Sequence, residues 1–343
     1  MKIESGLIET GSKKFSEIED FRQLNGYGHL ACNPRWPVFI ESIYGHKAYY
    51  IEVKSGNKIL AYAIGNLCRI STSGTNKLVL GAFLDFGTKM YSSVTETKEI
   101  DLIDMGMLSG MKTRGIIAKE IKPLTELANQ SQAVIQLLDH SLESIQKHIT
   151  SRARNDLRQF EVHGNSLLVG NRYLPEFYEM YVKRMKEFGT PAHSLKYFKE
   201  LQKHFNSQIV VSFDQSGFPA AASLSVCEDG AWLHMYAVGD RSRRKGNPGD
   251  RVLWEEIEMS IRMQSQSFWL GRSIRNSEVE KYKGKWNPQF YSTGDTLGSR
   301  YHPELGFQEI NKFGVKNSFA DVWSKIPVSL TSMTNSLVRK YIP

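Results

Sequence analysis

Between Ile209 and Val238 three β-rich runs follow one another so closely that they dictate the local topology. Ile209–Phe213, Ala221–Val226 and Trp232–Val238 are separated by Asp214-Gln215-Ser216-Gly217 and Glu228-Asp229-Gly230. Such turn sequences reverse the chain, and the spacing predicts an antiparallel meander. A loop over Gly239–Asp250 comes next. After it Val252, Leu253, Ile257 and Ile261 recur at helical spacing, and the apolar run Phe268–Leu270 ends at Gly271. Strands on both sides of a crossover helix predict a mixed sheet, and the fold class is α/β, of the α+β kind.

The remaining patterns extend this organisation towards both ends. Phe15, Ile18, Phe21 and Leu24 mark a short amphipathic helix, and Pro34-Arg35-Trp36 opens another that runs to Tyr44-Gly45. Ala48–Val53 and Lys58–Ile64 flank Lys54-Ser55-Gly56-Asn57 as a hairpin. Leu78–Leu80 and the glycine-bounded Gly81–Gly87 follow. Val134–Leu138 reads as a buried strand that closes a first domain.

Ile145, Ile149, Ala153, Leu157 and Phe160 then predict one long helix stopping at Gly164, with Lys147, Arg152, Arg154 and Arg158 on its basic face. Leu167–Val169 is a short strand, and two helices carry the stripes Phe177–Met185 and Leu195–Phe205. A chain of 343 residues with 41% hydrophobic side chains suits two domains. We place them at 1–140 and 141–322, with 323–343 as an amphipathic tail bearing Leu330, Met333, Leu337, Val338 and Tyr341 on one face.

The formal charge of +8 suits an anionic partner. Three cysteines without a C-x-x-C spacing or a secretory leader point to the cytoplasm. No run is long enough to span a bilayer, and the histidines show no metal-ligand spacing. The tail could lie on the inner face of the membrane or pack against the protein body.

Two stretches carry candidate chemistry. Phe268-Trp269-Leu270-Gly271-Arg272-Ser273 followed by Tyr282-Lys283-Gly284-Lys285-Trp286 joins a strand end to cations and aromatics. Such a wall can hold a carbonyl and exclude water, although a solvated hairpin has the same spacing. Arg241, Arg243, Arg244 and Asn247 lie in the basic loop before a helix, where free N–H groups favour an anion. The chain lacks G-x-S-x-G, the G-x-x-x-x-G-K-[ST] phosphate loop, and G-x-G-x-x-G after a strand. Its Arg243-x-x-Gly246-Asn247-Pro248 matches the acetyltransferase R-x-x-G-x-G/A loop only in part.

The ordered set Pro34-Arg35-Trp36, Ser151-x-x-Arg154 with Arg158, Phe188-Gly189-Thr190-Pro191, Gly271-Arg272-Ser273 and Tyr282-Lys283-x-x-Trp286 resembles the FemAB-like transferases of the GNAT superfamily. The close of the chain resembles their subgroup associated with exopolysaccharide and exosortase systems. The resemblance implies two GNAT-like domains in tandem, each a mixed, mostly antiparallel sheet flanked by helices. It implies an acyl or aminoacyl transferase acting on an amine or hydroxyl of a cell-envelope, peptidoglycan or exopolysaccharide precursor.

On that footing Lys283 and Tyr282 are the catalytic candidates. Arg272, Ser273, Trp286, Arg154 and Arg158 would bind substrate, and Arg241, Arg243, Arg244 and Asn247 the donor. The donor would be aminoacyl-tRNA or acyl-CoA, with no tightly bound cofactor, no metal and no DNA partner. The acceptor would be an anionic or lipid-linked saccharide precursor. A CoA-dependent acyltransferase acting on an envelope sugar and a non-catalytic polymer-binding scaffold are the alternatives.

Overall fold

In the computed structural model the described residues are 2–25, 30–69, 76–80, 91–92, 130–138, 140–292, 323–326, 335 and 338–339. They form two compact units. Ser131–Phe290 cluster with the described tail residues in the second, and the N-terminal sheet forms the first.

The first unit is antiparallel throughout its described ladders. Strands β1 (Lys2–Leu7), β2 (Lys47–Ser55), β3 (Lys58–Arg69) and β4 (Asn76–Leu80) lie side by side in chain order, and β5 (Tyr91–Ser92) also pairs with β3. The expected hairpin is β2–β3. Helix α1 (Lys13–Leu24) is capped by Ser12 and buries Ile18 and Phe21 against Tyr62 and Ile64. Helix α2 (Arg35–Tyr44) buries Trp36, Phe39 and Ile40 and stops at Gly45, whose φ of 72° gives the left-handed turn that ends it. The segment 81–87 lies outside the described residues.

Among the described residues the second sheet holds seven strands: β6 (Gln130–Gln136), β7 (Ser166–Val169), β8 (Ser207–Phe213), β9 (Pro219–Glu228), β10 (Ala231–Gly239), β11 (Ser267–Ile274) and β12 (Gln289–Ser292). Their spatial order is β12-β6-β11-β10-β9-β8-β7. The meander is β8–β9–β10, antiparallel as read from the sequence, and β10 and β11 run parallel. Strand β6 does not close the first domain. It lies between β11 and β12 in the second sheet, with Ala133, Ile135 and Leu137 in the same core as Trp232, Phe268 and Trp286. A boundary at residue 140 would therefore cut a central strand from its sheet.

The predicted long helix is two helices, α3 (Leu142–His148) and α4 (Ser151–Val162). Thr150 breaks it. Its hydroxyl accepts from the Ala153 N–H as the N-cap of α4 and donates to the Lys285 carbonyl at 3.1 Å. Helices α5 (Leu174–Glu187) and α6 (Leu195–His204) cover one face of the sheet with an aromatic layer of Phe177, Tyr181, Phe198 and Tyr236. Helix α7 (Pro248–Arg262) covers the other through Leu253, Trp254 and Ile257, and α8 (Glu278–Gly284) follows β11.

Candidate active site

The ladder between β10 and β11 is short. Ala231, Trp232 and Leu233 face Ser267, Phe268 and Trp269, and beyond them no pairing of the two strands continues among the described residues. Both strands change course at that point. Strand β10 carries a bulge between His234 and Tyr236, and Gly271 of β11 has φ +78°, a left-handed value suited to glycine. The sheet thus opens along its middle seam, with half-buried His234, Met235 and Tyr236 on one margin.

His234 is held at this opening. Its Nδ1 lies 2.6 Å from Oε2 of Glu256, a fully buried carboxylate on α7 whose Oε1 accepts from the Ser223 hydroxyl of β9. A buried carboxylate costs several kcal/mol unless its oxygens are satisfied, and here both are. Donation from Nδ1–H to Glu256 fixes the tautomer and leaves Nε2 as the basic nitrogen. The Phe268 ring lies beside the imidazole, with centroids 6.2 Å apart and the planes at 30°. The three side chains form an oriented base, the arrangement that general-base catalysis requires.

A second polar cluster sits at the start of α7. The Lys285 ammonium binds both Asp250 and Asp156, the latter at 3.3 Å, and lies 4.6 Å from the Tyr282 ring centroid. The Asn247 amide donates to Asp156 at 3.2 Å. Tyr282 is 40% exposed, yet burial of its hydroxyl, reinforced by the Asp250 carboxylate, pushes its pKa well above the ordinary phenol value. The phenol is therefore a neutral hydrogen-bond donor. Gly246, at φ +77°, lies against α4 so closely that a Cβ would meet Asn165 Nδ2 at 2.6 Å and Gln159 O at 3.0 Å.

The residues expected from the sequence are distributed differently. Lys283 is on a helix rather than a polar loop; it is buried, and its Nζ donates to the carbonyls of Gly271 at 2.9 Å and Arg272 at 2.7 Å. Trp286 is in the hydrophobic core, stacked on Trp254 at 6.2 Å, rather than on a substrate wall. Arg154 caps α3 by donating to Lys147 O and Ile149 O, a structural use of its charge. Arg158, Arg241 and Arg244 are exposed, whereas Arg243 is committed to Asp214 and lies over Phe218. Arg272 and Ser273 follow the Gly271 kink, the hydroxyl of Ser273 buried and without a hydrogen-bond partner among the described residues. His234, Glu256 and Ser223 were not legible as a site, although Glu256 lies at the centre of the apolar stripe of α7.

No family model and no curated protein matches the sequence. Solved structures do. FemX superposes with a TM-score of 0.58 at 11% identity, over 84% of this chain and 95% of its own. The chain has the FemX fold. A C-terminal DUF2156 domain from Agrobacterium fabrum gives a TM-score of 0.50 at 10% identity, over 81% of this chain and 89% of that one. A conserved protein of unknown function from Bacteroides thetaiotaomicron gives 0.50 at 8%, over 84% and 96%. The FemX fold accounts for the expected α/β class, with mostly antiparallel sheets flanked by helices. No helix among the described residues is long and apolar enough to cross a membrane.

Proposed function

We propose that this FemX-fold protein is an acyltransferase with His234 as its base, and that its donor is an aminoacyl ester. The observation that carries the reading is the Ser223–Glu256–His234 relay at the margin where β10 and β11 separate. The acceptor amine or hydroxyl attacks the acyl carbon and passes its proton to Nε2 of His234. Negative charge gathers on the carbonyl oxygen, where backbone N–H groups at the bulge can meet it. Collapse of the tetrahedral intermediate breaks the bond to the leaving oxygen, which takes the proton back from His234. No covalent enzyme intermediate is required.

The start of α7 favours an ester donor over a CoA thioester. Pro248 has no N–H, and those of Asp250 and Arg251 both turn to Asn247 O, so little of the anion-binding capacity of that helix end is left. The buried Asp250 and the nearby Asp156 add two carboxylates there, offset by the one Lys285. A diphosphate would find few free N–H donors at this helix end. The acceptor in this reading is a lipid-linked or anionic saccharide precursor of the cell envelope, which suits the excess of 44 Lys and Arg over 36 Asp and Glu.

Radiolabelled aminoacyl-tRNA and acyl-CoA, offered in parallel with an extracted precursor fraction, test both parts. Label should pass from the aminoacyl ester and not from CoA. His234→Ala should lower turnover by roughly 10²–10⁴-fold, the usual worth of a general base, and should also lower the melting temperature, because it leaves Oε2 of Glu256 buried without a partner. Undiminished turnover in His234→Ala removes the base, and efficient use of acyl-CoA removes the donor assignment.

A further inference from the structure

Consecutive carbonyls of a regular strand point to opposite sides, one towards each neighbouring strand. A single ammonium cannot reach two of them. Lys283 does reach two, at Gly271 and Arg272, because the left-handed φ of Gly271 swings the chain so that both oxygens face α8. In an undistorted β11 one of these carbonyls would face β10 and extend the parallel ladder past Leu233 and Trp269, where it now stops. The lysine side chain is buried, and Ser277 caps the N-terminus of the helix that presents it.

We propose that Lys283 is a positioning residue that holds the seam between β10 and β11 open, taking the carbonyl that would otherwise close it. The role rests on the reading of that seam as the acyl site, but the geometry can be tested without any substrate. Gly271 permits the bend and Lys283 fixes it. Without the ammonium the buried Gly271 oxygen and the part-buried Arg272 oxygen lose their charged donor, and N–H groups of β10 lie across the seam to replace it.

Amide hydrogen exchange of the full chain, followed by mass spectrometry on peptides spanning His234–Gly239, separates this role from a merely stabilising one. In Lys283→Met, which keeps the stem and removes the donors, exchange in that stretch should slow by about fivefold, the factor for one new backbone hydrogen bond. Lys283→Arg should keep the wild-type rate. A residue that only stabilises the fold would give the opposite sign, with faster exchange in Lys283→Met. Faster or unchanged exchange overturns the proposal. Should Lys283→Met fail to fold by circular dichroism, Lys283→Gln, which keeps a shorter and weaker donor, should show the same slowing in smaller degree, and its absence there is equally decisive. If exchange slows as stated and the aminoacyl transfer assay still fails, the acyltransferase reading falls and the positioning role stands.

Discussion

His193 shows how far a side chain's surroundings can reset its chemistry. It lies buried against Tyr197, ring centroids 4.1 Å apart, with Tyr181, Phe198 and Tyr236 around it and Arg339 3.5 Å from its Nε2. Burial, and after it the Arg339 charge, hold its pKa well below the ordinary 6.5. The unfolded chain takes up a proton near that pH and the folded protein does not. Stability is therefore complete above about pH 6.5 and falls as pH drops below it. Calorimetry between about pH 7.5 and 5, a window above most carboxylate titrations, should show the melting temperature falling. The slope should flatten in His193→Phe, which keeps the ring stack, and an equal slope in both proteins would assign it to other groups. At this scale the sequence was least legible. Lys283 and Trp286 look like site residues by type, and only the fold shows that one binds carbonyls and the other fills the core. Glu256 was the readable signal, a carboxylate amid Val252, Leu253 and Ile257 on one helix face. Such a residue has to be satisfied by something, here His234 and Ser223.

Elements were more legible than residues wherever periodicity and turns agreed. The meander, the β2–β3 hairpin and helices α1, α2, α5, α6 and α7 follow from apolar spacing bounded by Gly, Ser or Asn. The break between α3 and α4 did not, because the apolar spacing runs straight through it and the interruption comes from Thr150 binding Lys285 O, a distant partner. The tail was open between membrane contact and packing. Among its described residues Trp323 and Asn335 are buried while Lys325 is exposed, and Asn335 Oδ1 accepts the Ala192 N–H at 3.2 Å. We expect Asn335→Ala to cost about 1–3 kcal/mol by leaving that amide buried without an acceptor, and deletion of 335–343 to cost more. Urea denaturation measures both. If the deletion leaves the midpoint in place and instead abolishes sedimentation with anionic vesicles, the tail is a membrane contact and not a strap.

For the molecule as a whole, the feature that local reading could not supply is which strand belongs to which sheet. Val134–Leu138 has the apolar character of a buried strand, but nothing in its spacing tells it to leave the preceding strands and join β11, because pairing partners distant in sequence leave no periodic trace. A fragment beginning at residue 141 would lack the strand between β11 and β12. It should show no cooperative unfolding transition, whereas one beginning at residue 129 should; cooperative melting of the shorter fragment would mean that β12 can close on β11 directly. The same arrangement sets a timetable for synthesis. Strand β6 leaves the ribosome about 130 residues before β11 exists, which at 5–20 residues per second is a wait of roughly 7 to 26 s. Throughout that interval Ala133, Val134 and Ile135 form an apolar edge with no partner from their own sheet. The nascent chain must be shielded there, so in a cell short of chaperones this strand is where misassembly of the newly made protein begins.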